Sequence, residues 1–204
     1  MEDLFINICH DGVLEEAKEI IRLYPDINIS AEDNIAFYGA CFNGHFEVSE
    51  WLLSVNPNII ISEEQFSDAC NEGQLELAKW FLKVNQDIII SEAQFSDACK
   101  NGHLKVAKWL LKVNPDINIS ANNEYVFRWT CYEEQLEVAK WLLEVNPNIN
   151  IYVNDNEVFR DACDNEDLEI AEWLQSLNPY LYVIEYDING KYIGYKIREK
   201  EYAT

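Results

Sequence analysis

Six cysteines stand at positions 9, 41, 70, 99, 131 and 163, and the gaps between them are 32, 29, 29, 32 and 32 residues. Four residues before each one is a phenylalanine: Phe5, Phe37, Phe66, Phe95, Phe127 and Phe159. Ten residues after five of them is a tryptophan: Trp51, Trp80, Trp109, Trp141 and Trp173. Self-similarity at a period near 30 marks a chain that stacks one small motif on the next, because no single copy can bury its own apolar face. That feature alone sets aside most globular architectures.

Each repeat reads as two helices. The first is expected to begin eight residues before the cysteine, at Asp33, Ser62, Ser91, Asn123 or Asp155, all of them residues that cap free backbone N–H groups. Ser62 with Gln65, and Ser91 with Gln94, have capping-box spacing. Phe and Cys four apart share one helix face with Ala40, Ala69, Ala98 and Ala162 beside it. Gly12, Gly44, Gly73 and Gly102 then supply the positive φ of a tight turn. Glu134 and Glu166 stand at that position in repeats five and six, so those turns are expected to be strained or differently shaped. The second helix, as in 46–53 or 104–111, ends at Asn-Pro in four repeats, where Asn tolerates the left-handed conformation and Pro cannot continue the helix. An extended Ile-x-Ile stretch leads onward, as at Ile117 and Ile119.

The stretches Ala-Cys-Phe-Asn-Gly-His at 40–45 and Ala-Cys-Lys-Asn-Gly-His at 98–103 resemble the Ala-Ala-x-x-Gly-His signature of the ankyrin repeat. The run Leu-Glu-Val-Ala-Lys-Trp-Leu-Leu at 136–143 resembles that family's second helix. Cysteine at the second Ala, tryptophan in the outer helix and Asn-Pro-Asp-Ile-Asn after it are similar to the ankyrin-repeat proteins of giant DNA viruses of amoebae. The family's Thr-Pro-Leu-His opening is absent from every repeat, and the protruding β-turn finger is expected to be truncated in the two short ones. The expected architecture is all-α, an ankyrin-like solenoid of six helix-turn-helix repeats over residues 1–179, with a β-hairpin cap and tail over 180–204.

At the amino end, Glu19 occupies the tryptophan position, and in the last repeat Gln175 replaces an apolar residue, so the array reads as having polar ends. In the tail, Asn189-Gly190 predicts a two-residue hairpin turn. That register would put Tyr182, Ile184, Tyr186, Ile193, Tyr195 and Ile197 on one face and Glu185, Asp187 and Lys196 on the other. An isolated hairpin is barely stable, so the apolar face should cover the end of repeat six as a cap in a monomer, ahead of a dimer contact. Lys191, Lys196, Arg198 and Lys200 balance Glu185, Asp187, Glu199 and Glu201, which leaves the whole net charge of −22 on the repeats.

Such a negative chain repels phosphate backbones, which argues against nucleic acid as a partner and for a basic protein surface. The start lacks a positive flank with a long apolar stretch, and no run approaches the about 18 apolar residues that cross a bilayer. A soluble intracellular protein is expected, cytoplasmic and, if viral, in the host cytoplasm, with reduced cysteines and no membrane association. Cofactor, metal and disulfide readings of the cysteines are weak: stacked helices lie ~8–10 Å apart, too far for a disulfide, and zinc-type Cys-x-x-Cys pairs are missing. They read as buried core. The periodic tryptophans read as packing between repeats, and His10 as an isolated surface residue; the ankyrin resemblance, through its Gly-His position, implies that His45 and His103 cap the second helices. No nucleophile with a paired acid recurs, so an enzyme is not expected.

Opposite Phe and Cys on each first helix, the positions six and two before the cysteine and one after it form a single stripe. In an ankyrin-like stack the stripe would line the concave surface. Repeat five places Tyr125, Trp129 and Tyr132 there, three aromatics of the kind that anchor interfaces. Repeat six places Glu157, Asp161 and Asp164, which suit a basic partner. Phe42, Asp68 and Asp97 complete the candidate surface. The expected function is a protein-interaction module that binds on this face. An acidic decoy, imitating nucleic-acid charge to occupy basic proteins, is the rival.

Overall fold

A computed structural model describes residues 1–198. Glu199, Lys200 and Glu201, which enter the charge balance of the tail, lie outside the described residues. Internal contacts divide the chain into two compact units, Met1–Ile89 and Ile90–Thr204.

The first unit holds three helix pairs: α1 (Glu2–His10) with α2 (Leu14–Leu23), α3 (Ala31–Phe42) with α4 (Phe46–Val55), and α5 (Glu63–Asn71) with α6 (Leu75–Val84). The second holds three more: α7 (Glu92–Lys100) with α8 (Leu104–Val113), α9 (Ala121–Tyr132) with α10 (Leu136–Val145), and α11 (Val153–Asp164) with α12 (Leu168–Leu177). An antiparallel hairpin of β1 (Tyr182–Tyr186) and β2 (Tyr192–Ile197) follows. None of the described helices is long and apolar enough to cross a membrane.

The periodic residues make the core. The six periodic phenylalanines and all six cysteines are buried. Burial pushes the thiols of Cys9, Cys41 and Cys163 up to about 12, and those of Cys99 and Cys131 higher still, so they are held protonated. Within each unit the phenylalanine of one repeat meets the tryptophan of the next. Ring centroids are 6.4 Å apart for Phe5 and Trp51 and 6.2 Å for Phe37 and Trp80 in the first unit. In the second they are 6.2 Å for Phe95 and Trp141 and 6.3 Å for Phe127 and Trp173. Phe159 has no such indole after it. Tyr182 of the hairpin stacks on it instead, at 4.0 Å and an interplanar angle of 15°.

The two cysteine spacings have a structural explanation. In the short repeats, Ser62 and Ser91 are N-caps with complete capping boxes, as expected. Asp33, Asn123 and Asp155 are not simple caps. Each is the middle of three consecutive left-handed residues: 32–34, 122–124 and 154–156. A 32-residue spacing exceeds a 29-residue spacing by three, and the extra residues form this turn. Left-handed backbone costs an L-residue roughly 1–2 kcal/mol, least for Asn and Asp. Seven of the nine positions are Asn or Asp; the exceptions are Glu32 and Glu124. Side chains brace these turns: Asn123 Nδ2 donates to Asn154 Oδ1 at 2.8 Å, and Glu124 accepts from the Asn150 amide at 3.1 Å.

Three other local expectations need correction. The asparagines ending the second helices are not left-handed: φ is −125° at Asn56, −121° at Asn114, −129° at Asn146 and −143° at Asn178. They work through their side chains. Asn56 Oδ1 accepts from the Asn58 amide while Nδ2 donates back to Ser30 Oγ at 2.6 Å, and Asn146 does the same with Asn148 and Ser120. Asn85 and Asn114 donate instead to the backbone oxygens of Ile61 and Ile90. Second, His45 and His103 occupy N-cap positions but make no side-chain cap bond. The His45 imidazole packs against Gly12, leaving no room there for a Cβ. Third, His10 is not an isolated surface residue: it is half-buried, with its ring lying over Gly39. At the inter-helix turns, Glu134 and Glu166 adopt φ of 59° and 60°, the left-handed form that glycine takes earlier. The turn keeps its shape, and these two residues bear the strain.

The hairpin also differs in detail. Its loop is the three-residue Ile188-Asn189-Gly190, closed by the Asp187 amide donating to the Lys191 oxygen at 2.8 Å. Asp187 Oδ1 accepts from the amides of Asn189 and Lys191, which hold that carboxyl below its ordinary range. A bulge between Glu185 and Tyr186 leaves Ile193 out of register and exposed, so Tyr192 takes its expected place on the inner face. That face packs on repeat six. Tyr182 Oη donates to Asn156 Oδ1 at 2.9 Å, Tyr192 Oη donates to the Cys163 oxygen at 3.0 Å, and Tyr186 bonds Glu172. Gln175, the residue that broke the apolar pattern, donates to the Tyr182 oxygen at 3.3 Å.

Candidate functional site

Helix α9 in the second unit carries Tyr125, Trp129 and Tyr132 on one face because they are spaced four and three apart. They do not fold into the core. Tyr125 and Trp129 are each 38% exposed and Tyr132 is 54% exposed. The rings form a continuous ridge: centroids are 6.0 Å apart for Tyr125 and Trp129, and 5.2 Å apart in an edge-on arrangement for Trp129 and Tyr132.

A hollow flanks this ridge on each side. Toward α7, a shallow groove is lined by Ala93, Ser96, Asp97, Tyr125 and Val126. Asp97 there is paired with Lys100 at 2.7 Å, and the pairing raises the lysine's affinity for its proton. Toward α11, a pocket of about 240 Å³ is bounded by Trp129, Tyr132, Glu134, Glu157, Asp161 and Asp167, with Arg128 among them.

The charges around that pocket are unevenly satisfied. Arg128 pairs with Glu157 at 2.7 Å, which holds the Glu157 carboxyl below its ordinary range. Asp161 makes no ion pair among the described residues. Its carboxyl is pushed up by loss of solvent and then by the neighbouring charges of Glu157 and Asp164, against a partial offset from Arg160 and Arg128. Asp167 is also pushed up by desolvation; one oxygen accepts weakly from the Ile170 amide at 3.4 Å, and the other is buried without a partner. One cation therefore faces four carboxylates.

Of the eight residues expected to form the surface, the fold brings five to this region. Tyr125, Trp129 and Tyr132 make the ridge, Asp161 lines the pocket and Asp97 lines the groove. Asp164 is exposed just outside the pocket. Phe42, half-buried, and Asp68, exposed, belong to the first unit and are described with it. Of the charged pocket residues, Arg128, Glu134 and Asp167 lie outside the stripe read from the sequence, and Glu157, which is on it, was not paired there with Arg128. Arg128 and Glu157 come from neighbouring repeats, 29 residues apart, and only stacking places them together.

The sequence profile of ankyrin repeats, three copies, matches residues 66–155 and 95–183, together more than half the chain. The chain belongs to the ankyrin-repeat family. Among solved structures, the human ASB11 ankyrin repeat domain matches with a TM-score of 0.58 at 18% identity, over 92% of this chain and 88% of that one. At that identity the likeness concerns the fold. No curated protein matches. Ankyrin repeats are general protein–protein interaction scaffolds, and the ridge and its flanking hollows are what this one presents on the exposed side of α9.

Proposed function

We propose that this ankyrin-repeat chain is a binding module that holds a protein partner with a basic surface on the exposed face of α9 and the pocket beside it. The observation that carries this reading is the solvent-facing run of Tyr125, Trp129 and Tyr132. A helix that only supports the stack gains nothing from three large rings in water, whereas clustered Trp and Tyr are the side chains that dominate interface energetics, at ~2 kcal/mol or more each. The uncompensated carboxylates next to them, on a chain of net charge −22, favour a cationic counterpart and speed its approach. We further propose, on the sequence resemblance to giant-virus ankyrin proteins alone, that this partner is a host cytoplasmic protein.

The test is capture of partner from cell lysate by the wild-type chain and by Trp129→Ala/Tyr132→Ala. The double variant should fold normally by circular dichroism and lose the partner. Retained capture would remove this site. The rival reading, an acidic decoy, draws on the same net charge. It would show as capture that ignores the double substitution and collapses when salt is raised, since exposed charges are screened beyond about 8 Å at physiological ionic strength.

A further inference from the structure

The pocket between α9 and α11 is smaller than a typical site for a drug-sized ligand. Sites for drug-sized ligands run to roughly 300–1,000 Å³, and this one is about 240 Å³. Its size suits one long side chain. Its walls include the indole of Trp129 and the phenol ring of Tyr132 on α9 and the carboxylates of Glu134, Glu157, Asp161 and Asp167, beside Arg128, Asn165 and small apolar side chains. Arg128 offsets the set only in part: it pairs with Glu157, which also accepts from Asn154, and its Nε is buried with no acceptor among the described residues. Glu134, Asp161 and Asp167 are left with no cation paired to them in the pocket lining. One Asp167 oxygen is sealed from solvent with no donor among the described residues, a costly arrangement that a nearby positive charge would relieve.

We infer that this pocket receives a single arginine side chain of the protein partner, its guanidinium against the Trp129 and Tyr132 rings and facing Asp161. The inference rests on the binding reading above and narrows the partner to one presenting an arginine at the contact. Arginine fits better than lysine on two counts. Its planar, weakly hydrated guanidinium stacks on aromatic faces, and its fork of donors can serve a carboxylate while the stack is kept. Lysine offers a point charge that loses more hydration on entry.

The experiment uses the full chain labelled with ¹⁵N and the peptide acetyl-Gly-Gly-Arg-Gly-Gly-amide, with citrulline and lysine versions as controls. The indole N–H signal of Trp129 is assigned by its loss in Trp129→Phe. The arginine peptide should shift that signal saturably, with half-saturation on the order of millimolar. The neutral citrulline peptide and the Asp161→Asn variant should each weaken binding about tenfold, and the lysine peptide should bind more weakly than arginine. No shift, an equal shift with citrulline, or a lysine peptide that binds as well as arginine overturns the inference. The two readings fail separately. If the peptide has no effect while Trp129→Ala/Tyr132→Ala still abolishes capture, the surface stands and the arginine pocket falls. If the peptide binds but the double variant captures normally, the binding surface falls.

Discussion

Glu166 holds a left-handed backbone position that Gly12, Gly44, Gly73 and Gly102 hold in the first four repeats, and its side chain is exposed. Relief of backbone strain favours glycine there, offset in part by the greater freedom of glycine in the unfolded chain. Glu166→Gly should therefore stabilise the protein by about 1 kcal/mol, raising Tm in thermal denaturation by roughly 2–4 °C for a chain of this size. The strain was legible from the missing glycine; its resolution was not, because a sequence cannot say whether a turn bends to its residue or the residue to the turn. Asp161 makes the opposite case, a residue whose discomfort belongs to the proposed site. Its folded-state carboxyl titrates above the unfolded one, so it favours the fold only while protonated, and that contribution is lost as pH rises through the folded value. Asp161→Asn should accordingly show a Tm at or slightly above wild type at pH 7, with the difference vanishing at acid pH. Glu157, held down by Arg128, has the reverse sign: its contribution is present at neutral pH and disappears on acidification.

Among elements, the helix pairs were readable because one residue pattern recurs six times and a periodic apolar face has few other uses. The capping boxes at Ser62 and Ser91 were equally plain, since the cap and its reciprocal Gln are local in sequence. The left-handed turns at 122–124 and 154–156 were hidden, although the 3-residue difference in spacing was visible. An insertion length does not disclose its conformation, and Asn serves as a cap or as a left-handed residue with equal ease. The hairpin was found but its register was displaced, because Asn-Gly also fits a three-residue loop when the preceding Asp collects two amides. Its packing carries the next prediction. Tyr182 is fully buried, stacks on Phe159 and bonds Asn156. Tyr182→Ala should cost about 3–5 kcal/mol in chemical denaturation, the range for emptying a buried aromatic site. Hydrogen exchange should quicken first in α11 and α12.

For the molecule as a whole, 37 acidic residues against 15 basic ones leave a self-repelling chain. Among the described residues most ion pairs join neighbours on one helix, such as the exposed Lys79 with Glu76 and Lys140 with Glu137, and such pairs are worth less than about 1 kcal/mol. Added salt should therefore stabilise this protein: moving from 50 to 300 mM sodium chloride, on the order of halving the screening length, should raise Tm. A fall would mean that these pairs outweigh the general repulsion. The candidate site was half visible at this scale. The aromatic ridge lies within one helix, so its spacing announced it. The pocket needed two helices from different repeats laid together, and no linear pattern shows which carboxylates a neighbour will leave unpaired.

The stacking of Tyr182 on Phe159 also bears on how such a gene can lengthen. A duplicated repeat inserted upstream would find a phenylalanine behind it and an indole ahead, and could slot in. A copy added downstream of the hairpin would meet a position already taken by the tyrosine ring. Lineages carrying this tail should thus vary in repeat number through internal duplications, with the tyrosine-bearing segment kept last.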